Sequence, residues 1–372
     1  MTKKKVLIIN QGHVAGNLGD VAIRKSMGNL LEDMQFQVDF SFFNPPSAVS
    51  IKEKLPKENY LTKDKEKKGK KKNPVKVNIK GYLSIFYWFI KNQSFIKDKI
   101  RSQKFDTFVI GGGQLMNSSP VNKKYPHLFS IALFWWTYIV RKYSEAPIYL
   151  IAVGVEGNFN KMEKFLYGKA LKKVNKAWVR DSYSKKVLFD ELGQKSKVVP
   201  DIAFYNSVEK NKQATGYSNL ALVGVYDYNT FCFKYNAKGI SLTDYYNIWY
   251  SQIEEYKAKG LEVKLFYTTK QDAIESKNFQ SYIKKTYGED ISIVDITNLN
   301  DLYKLYLKTT VVYSARMHGL LLALKYDCKV EPYIISQKIK SFTDEYINTV
   351  ETPKKFSEKL KNTFGQVQFV AK

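Results

Sequence analysis

Residues 6–20 read Val6-Leu7-Ile8-Ile9-Asn10-Gln11-Gly12-His13-Val14-Ala15-Gly16-Asn17-Leu18-Gly19-Asp20. The apolar run Val6–Ile9 is short and continuous, as in a strand buried on both faces of a parallel sheet. Val21, Ile23, Met27, Leu30 and Leu31 then recur at helical spacing, with Asp20 placed as N-cap. Strand, glycine-containing loop and helix form the opening unit of a nucleotide-binding-like α/β fold. The loop itself lets a ligand approach the backbone and ends at a helix N-terminus. A tight turn with an Asp cap would look the same.

The unit repeats. A second strand is expected over 36–43. Residues 106–110 read as a strand ending in Gly111-Gly112-Gly113-Gln114, and 148–153 as one ending at Gly154. Residues 177–179 precede Arg180-Asp181-Ser182 and a helix over 182–192; Val198-Val199 leads to Pro200-Asp201. A polar stretch at 203–218 separates this half from another. There, strands are expected at 220–225, 263–266, 291–294 and 311–313, with helices at 242–258, 273–287 and 299–307. The last of these strands delivers Arg316 and His318 at its carboxyl end, and Leu320–Leu324 continue as a buried helix. The expected fold is α/β, with two Rossmann-like domains over 1–205 and 206–372 facing across a cleft. Ligands in such sheets bind outside the carboxyl ends of the strands, and clefts between domains favour them.

Composition sharpens the choice of residues. The chain of 372 residues has 60 Lys plus Arg, yet only five Arg and three His. One of each sits in Ala315-Arg316-Met317-His318-Gly319. Only Arg offers a planar fork for carboxylate or phosphate, and only His titrates near neutrality without perturbation. The pair suggests a held anion and a moved proton; an Arg at a helix end beside a core His is the plain alternative. Arg180, also at a strand end, could complete a two-Arg clamp on a dianion, or could merely pair with Asp181.

The formal net charge of +25 prompts a nucleic-acid reading, but surfaces that read bases lean on Arg, which is scarce here. No specific nucleic-acid binding is expected; the charge suits acidic glycans or peripheral contact with anionic membrane, and a merely Lys-biased, solvated surface would look the same. The block Lys63–Lys72, KDKEKKGKKK, cannot bury itself and is expected as a flexible insertion over about 56–78. Gly81–Ile90, rich in aromatics, returns to the core or to a docking face. Leu128–Val140, LFSIALFWWTYIV, has 13 residues, short of the ~20 that span a bilayer; a core helix or an aromatic docking face would both fit. The apolar run after Met1–Lys5 is too short for a signal-peptide core. Cys232 and Cys328 make no paired motif, so the expected location is cytoplasmic. No P-loop, HExxH or GxSxG spacing is present.

Taken in order, GNLGD (16–20), VIGGGQL (109–115), WVRDSYS (178–184), VVPDIAF (198–204) and SARMHGLLLAL (314–324) resemble the polysaccharide pyruvyl transferases over residues 5–345. Lys338 looks like the Lys that follows the last strand in that family; the Lys-rich block has no family counterpart. The resemblance implies a GT-B-like fold. It also implies transfer of pyruvate from phosphoenolpyruvate to two hydroxyls of one sugar as a cyclic ketal, with release of phosphate. The acceptor would be a glycan or lipid-linked saccharide, and no metal or redox cofactor is required. By that likeness Arg180, Arg316 and His318 hold phosphoenolpyruvate. Asn17, Gly19, Asp20, Gly112, Gly113 and Gln114 face them, with Met317, Asp201 and Lys338 also at the site. His318 would be acid or base, assisted by Asp20 or Asp201. A GT-B nucleotide-sugar glycosyltransferase and a non-catalytic glycan-binding protein are the competing expectations.

Overall fold

A computed structural model describes residues 3–10, 16–44, 76–119, 125–206, 219–235, 239–367 and 369. The Lys63–Lys72 block lies outside these residues. The first half alternates strictly: β1 (Lys4–Asn10), α1 (Leu18–Asp33), β2 (Phe36–Phe42), α2 (Lys76–Arg101), β3 (Thr107–Met116), α3 (Leu128–Tyr143), β4 (Ile148–Val155), α4 (Lys161–Leu171), β5 (Lys176–Val179), α5 (Ser182–Leu192) and β6 (Lys197–Val198). The strands form one parallel sheet in the order β2-β1-β3-β4-β5-β6. The direction of winding reverses between β1 and β3, and a reversal point opens a crevice at the strands' carboxyl ends.

The second half contains β7 (Leu220–Gly224), α6 (Tyr228–Tyr235), α7 (Leu242–Ala258), β8 (Glu262–Leu265), α8 (Lys270–Tyr287), α9 (Leu299–Tyr306), β9 (Val311–Ser314), α10 (Met317–Lys325), β10 (Lys329–Pro332), α11 (Gln337–Phe342) and α12 (Pro353–Gly365). Its parallel sheet runs β10-β9-β7-β8. Winding here reverses between β7 and β9, and β9 is the strand that leads into Arg316. The two halves are clasped where their strand-end loops meet: Leu18 N–H donates to Thr268 O (3.0 Å) and Lys270 N–H to Gly16 O (3.0 Å).

Burial follows the strand pattern. Val6 and Ile8 face a core that runs from α1 into α10, while Leu7 and Ile9 face the core under α2, α3 and α4. Leu128–Val140 belongs to a core helix: Ile131, Leu133, Trp136, Ile139 and Val140 are buried, while Tyr138 stays exposed. Among the described residues, no helix is long and apolar enough to cross a membrane.

Some expectations needed correction. The residues 291–294 are no strand; Ile293 makes a single parallel bridge to Leu265, the last residue of β8. The strand expected to stop at Ile110 runs on through the three glycines to Met116. A Cβ on Gly111 would stand 2.4 Å from the Ile151 carbonyl oxygen, so only glycine lets β3 approach β4 that closely. The chain's end also leaves the second half. Phe364 packs on Trp178 (ring centroids 5.2 Å) and Phe369 on Tyr149 (5.0 Å), both in the first sheet.

Candidate active site

Asn17, rather than Asp20, caps α1: its side-chain oxygen accepts from Gly19 N–H (3.1 Å). Asp20 sits in the first helical turn, where its Oδ2 accepts from Asn17 Nδ2 (2.7 Å). Relieved of capping, the Asp20 carboxyl faces a cavity of about 170 Å³ between the halves, lined also by Asn17, Gly112, Gly113, Gln114, Phe129, His318 and Lys338. A larger cavity of about 330 Å³ is lined by Arg180, Arg316, Met317, Tyr226, Ser336 and Glu156, and shares Gln114 and Lys338 with the first. The structure therefore divides the expected site residues between two adjoining spaces. Asp201 lies fully buried behind them, and Gly19 lies under the His318 ring.

His318 enters from the first turn of α10. A Cβ on Gly19 would stand 2.7 Å from His318 Cβ and 2.9 Å from Nδ1, so the glycine gives the imidazole its seat. Gly19→Ala is expected to displace the ring and lower turnover about 100-fold, the scale of a 1 Å misplacement; a kinetic comparison at unchanged melting temperature checks this. His318 Nε2 lies 3.5 Å from Asp201 Oδ2, a close approach rather than a formed hydrogen bond, since Nε2 is buried with no well-placed partner.

Burial lowers the His318 pKa below its ordinary value, opposed by Asp201 and reinforced by Lys338 and Arg180. Burial raises the Asp20 carboxyl, against the pull of His318, Lys338, Arg180 and the Asn17 side chain. Asp201 moves the other way. Burial would raise it, but His318, Arg180 and the Ala203 N–H outweigh that and hold it well below the usual carboxylate range. The small cavity is thus faced by an imidazole kept neutral and a carboxyl whose proton is retained longer than usual. Environments that separate two titratable groups in this way mark acid and base roles.

The Asp20 shift has a stability consequence. A carboxyl whose folded pKa exceeds its unfolded one weakens the fold once pH rises through the folded value. Asp20→Asn is therefore expected to raise the melting temperature at pH 7. The gain should vanish below the ordinary Asp pKa, where the acid is protonated in both states; thermal melts across pH check it.

Arg180 is almost wholly buried. Its Nε lies 3.3 Å from Asp181 Oδ2, its Nη1 3.4 Å from Asp201 Oδ2, and Nη2 donates to Gln114 Oε1. The register of β3 on β4 shifts between Gln114 and Met116, just past this contact. Gly154 leaves room for the fork: a Cβ there would stand 2.5 Å from Nη2. Arg316 is N-cap of α10 by backbone, but its side chain does no capping. It grips Asp272 with two bonds, Nε to Oδ2 (2.6 Å) and Nη2 to Oδ1 (2.7 Å), and lies 4.0 Å over the Tyr226 ring. Neither fork stands as a lone cation; carboxylates fix both.

Four partners went unread in the sequence. Asp272 sits three residues after the Thr269 cap of α8, where an acid passes for helix-dipole decoration. Tyr226 lies two residues past the end of β7, and the strand-end rule that points to Arg180 points to it as well. Tyr346 gives no sequence signal. Its hydroxyl donates to Arg180 O (2.6 Å) and accepts from Asp201 N–H (3.0 Å), while adjacent Glu345 accepts from Ser182 N–H (2.6 Å). The turn at 343–347 thus pins the Arg180 loop from across the chain.

The fold resembles that of sugar-nucleotide enzymes. A structure of Staphylococcus aureus MnaA with UDP aligns with a TM-score of 0.52 at 12% identity, covering 99% of this chain and 89% of that one. UDP-GlcNAc 2-epimerase from Methanocaldococcus jannaschii aligns at 0.51 and 11% identity, covering 98% of each chain. At such identities the likeness concerns architecture alone, that of two Rossmann-like domains. No curated protein matches this sequence at a significant level. A family model, by contrast, matches residues 17–330, a span holding every candidate site residue except Lys338. The chain belongs to the polysaccharide pyruvyl transferase family.

Proposed function

We propose that this transferase moves pyruvate from phosphoenolpyruvate onto two hydroxyls of one sugar as a cyclic ketal. The observation that carries the reading is the pairing of a neutral-tending His318 with a proton-retaining Asp20 beside a cavity lined by Arg180, Arg316 and Lys338. Phosphoenolpyruvate sits in the larger cavity, its carboxylate and phosphate against those three cations. The acceptor hydroxyls enter the smaller one.

In the first step Asp20 gives its proton to the methylene carbon, using the electron pair of the double bond. The adjacent carbon becomes electrophilic and the first hydroxyl oxygen bonds to it as His318 takes that hydroxyl's proton. In the second step the bond from this carbon to the phosphate oxygen breaks and the second hydroxyl takes the place of phosphate. Two hydroxyl protons leave; one replaces the proton that Asp20 delivered to carbon and the other departs with phosphate. The guanidinium and ammonium groups stabilise charge on the leaving phosphate. Asp201, ionised and behind the ring, favours the imidazolium that forms in the first step.

The competing reading, a nucleotide-sugar transferase, draws on the UDP in the MnaA structure. Melting curves separate the two, because a ligand that binds only the folded state raises its melting temperature with concentration. Phosphoenolpyruvate should stabilise the protein and UDP-sugars should not. The reverse pattern would replace this proposal with the glycosyltransferase reading.

A further inference from the structure

Helix α2 carries two apolar stripes, although packing against one core needs only one. Trp88, Ile96 and Ile100 are buried in the core of the first half. On another face Leu83, Phe86, Tyr87 and Ile90 stand 59, 59, 67 and 54% exposed. Their spacing, i, i+3, i+4 and i+7, gathers them along two helical turns. The stripe continues sideways. Phe89, between them in sequence, stacks on Trp135 of α3 with centroids 4.1 Å apart, and Trp135 meets the half-exposed Tyr138 at 5.6 Å. Single exposed apolar residues are ordinary; a contiguous aromatic band marks an interaction surface.

Ammonium groups rim this band. Lys91 on α2 and Lys142 on α3 are exposed, and Lys173 Nζ lies 5.5 Å over the Tyr138 ring. Apolar and aromatic side chains flanked by Lys suit the boundary of an anionic bilayer, with the rings among acyl chains and the ammonium groups at head groups. A second copy of this chain would bring one Lys rim against another, which like charge opposes. We propose that the α2–α3 face docks this protein on an anionic lipid surface. The proposal stands apart from the donor assignment and does not depend on it.

Flotation of the full chain with vesicles tests this. The protein should float with phosphatidylcholine vesicles containing phosphatidylglycerol, less so at high salt, and not with phosphatidylcholine alone. The variant Phe86→Ser/Tyr87→Ser/Ile90→Ser should lose at least about tenfold in partitioning at unchanged melting temperature. Lys91→Glu/Lys142→Glu, which leaves the apolar stripe intact, should also weaken it. Undiminished flotation of both variants would put attachment elsewhere on the basic surface and overturn the proposal. So would a wild-type chain that floats with neither vesicle, or one that forms a dimer which the serine variant dissolves without any vesicle binding.

Discussion

His318→Ala is expected to lower the turnover of phosphoenolpyruvate with acceptor by about 10²–10⁴-fold, the usual share of one acid–base group. The fold should survive, because the ring makes no formed hydrogen bond through Nε2 and the helix behind it is held by Leu320, Leu321 and Leu322 in the core. The pH profile gives the finer reading. As a base, His318 must be neutral, and burial lowers its pKa from the ordinary value. In the wild type, activity should therefore fall with acidification at a lower pH than an ordinary imidazole would set. In the variant that limb should disappear from the residual rate. Steady-state kinetics across pH, beside melting curves, check both parts; wild-type turnover in the variant would remove His318 from the chemistry.

Arg180→Met is expected to cost both stability and function. The substitution keeps much of the volume but leaves Asp181 and Asp201 buried without their guanidinium, and breaking a buried pair from one side costs about 3–5 kcal/mol. Denaturant unfolding should record that loss. The same change removes a positive neighbour that lowers His318 and Asp20, so both should titrate higher than in the wild type. Arg180→Lys restores charge without the fork. It should recover part of the stability but not the combined contacts to Asp181, Asp201 and Gln114. A variant as stable as the wild type would show that this cluster does not hold the strand-end loop.

Much of this was legible in the chain. Continuous apolar runs at Val6–Ile9 and Val311–Tyr313 fit strands of a parallel sheet, and both form them; Arg180, Asp201, Arg316 and His318 then fall after strand ends, as the strand-end rule expects. The helix over 182–192 appears with those bounds because Asp181 caps it and Gly193, with φ 64°, ends it. Legibility stopped where long-range packing decides. Asn17 and Asp20 are both good caps, and the sequence does not choose between them; in the fold Asn17 caps α1 while Asp20 lines the cavity. The division of Arg180 and His318 between two cavities, the Asp272 grip on Arg316 and the Tyr346 bridge depend on contacts 44 to 166 residues apart. No local pattern encodes these.

Ketal transfer from phosphoenolpyruvate adds pyruvate to the acceptor, which an acceptor screen read by mass detects. The purified chain would be incubated with phosphoenolpyruvate and candidate saccharides, free and lipid-linked, with phosphate release followed in parallel. The expected result is one acceptor that gains a single ketal-linked pyruvate, releases one phosphate for each transfer, and does neither with His318→Ala. Sugar transfer from a UDP-sugar to the same acceptors, with phosphoenolpyruvate left intact, would contradict it.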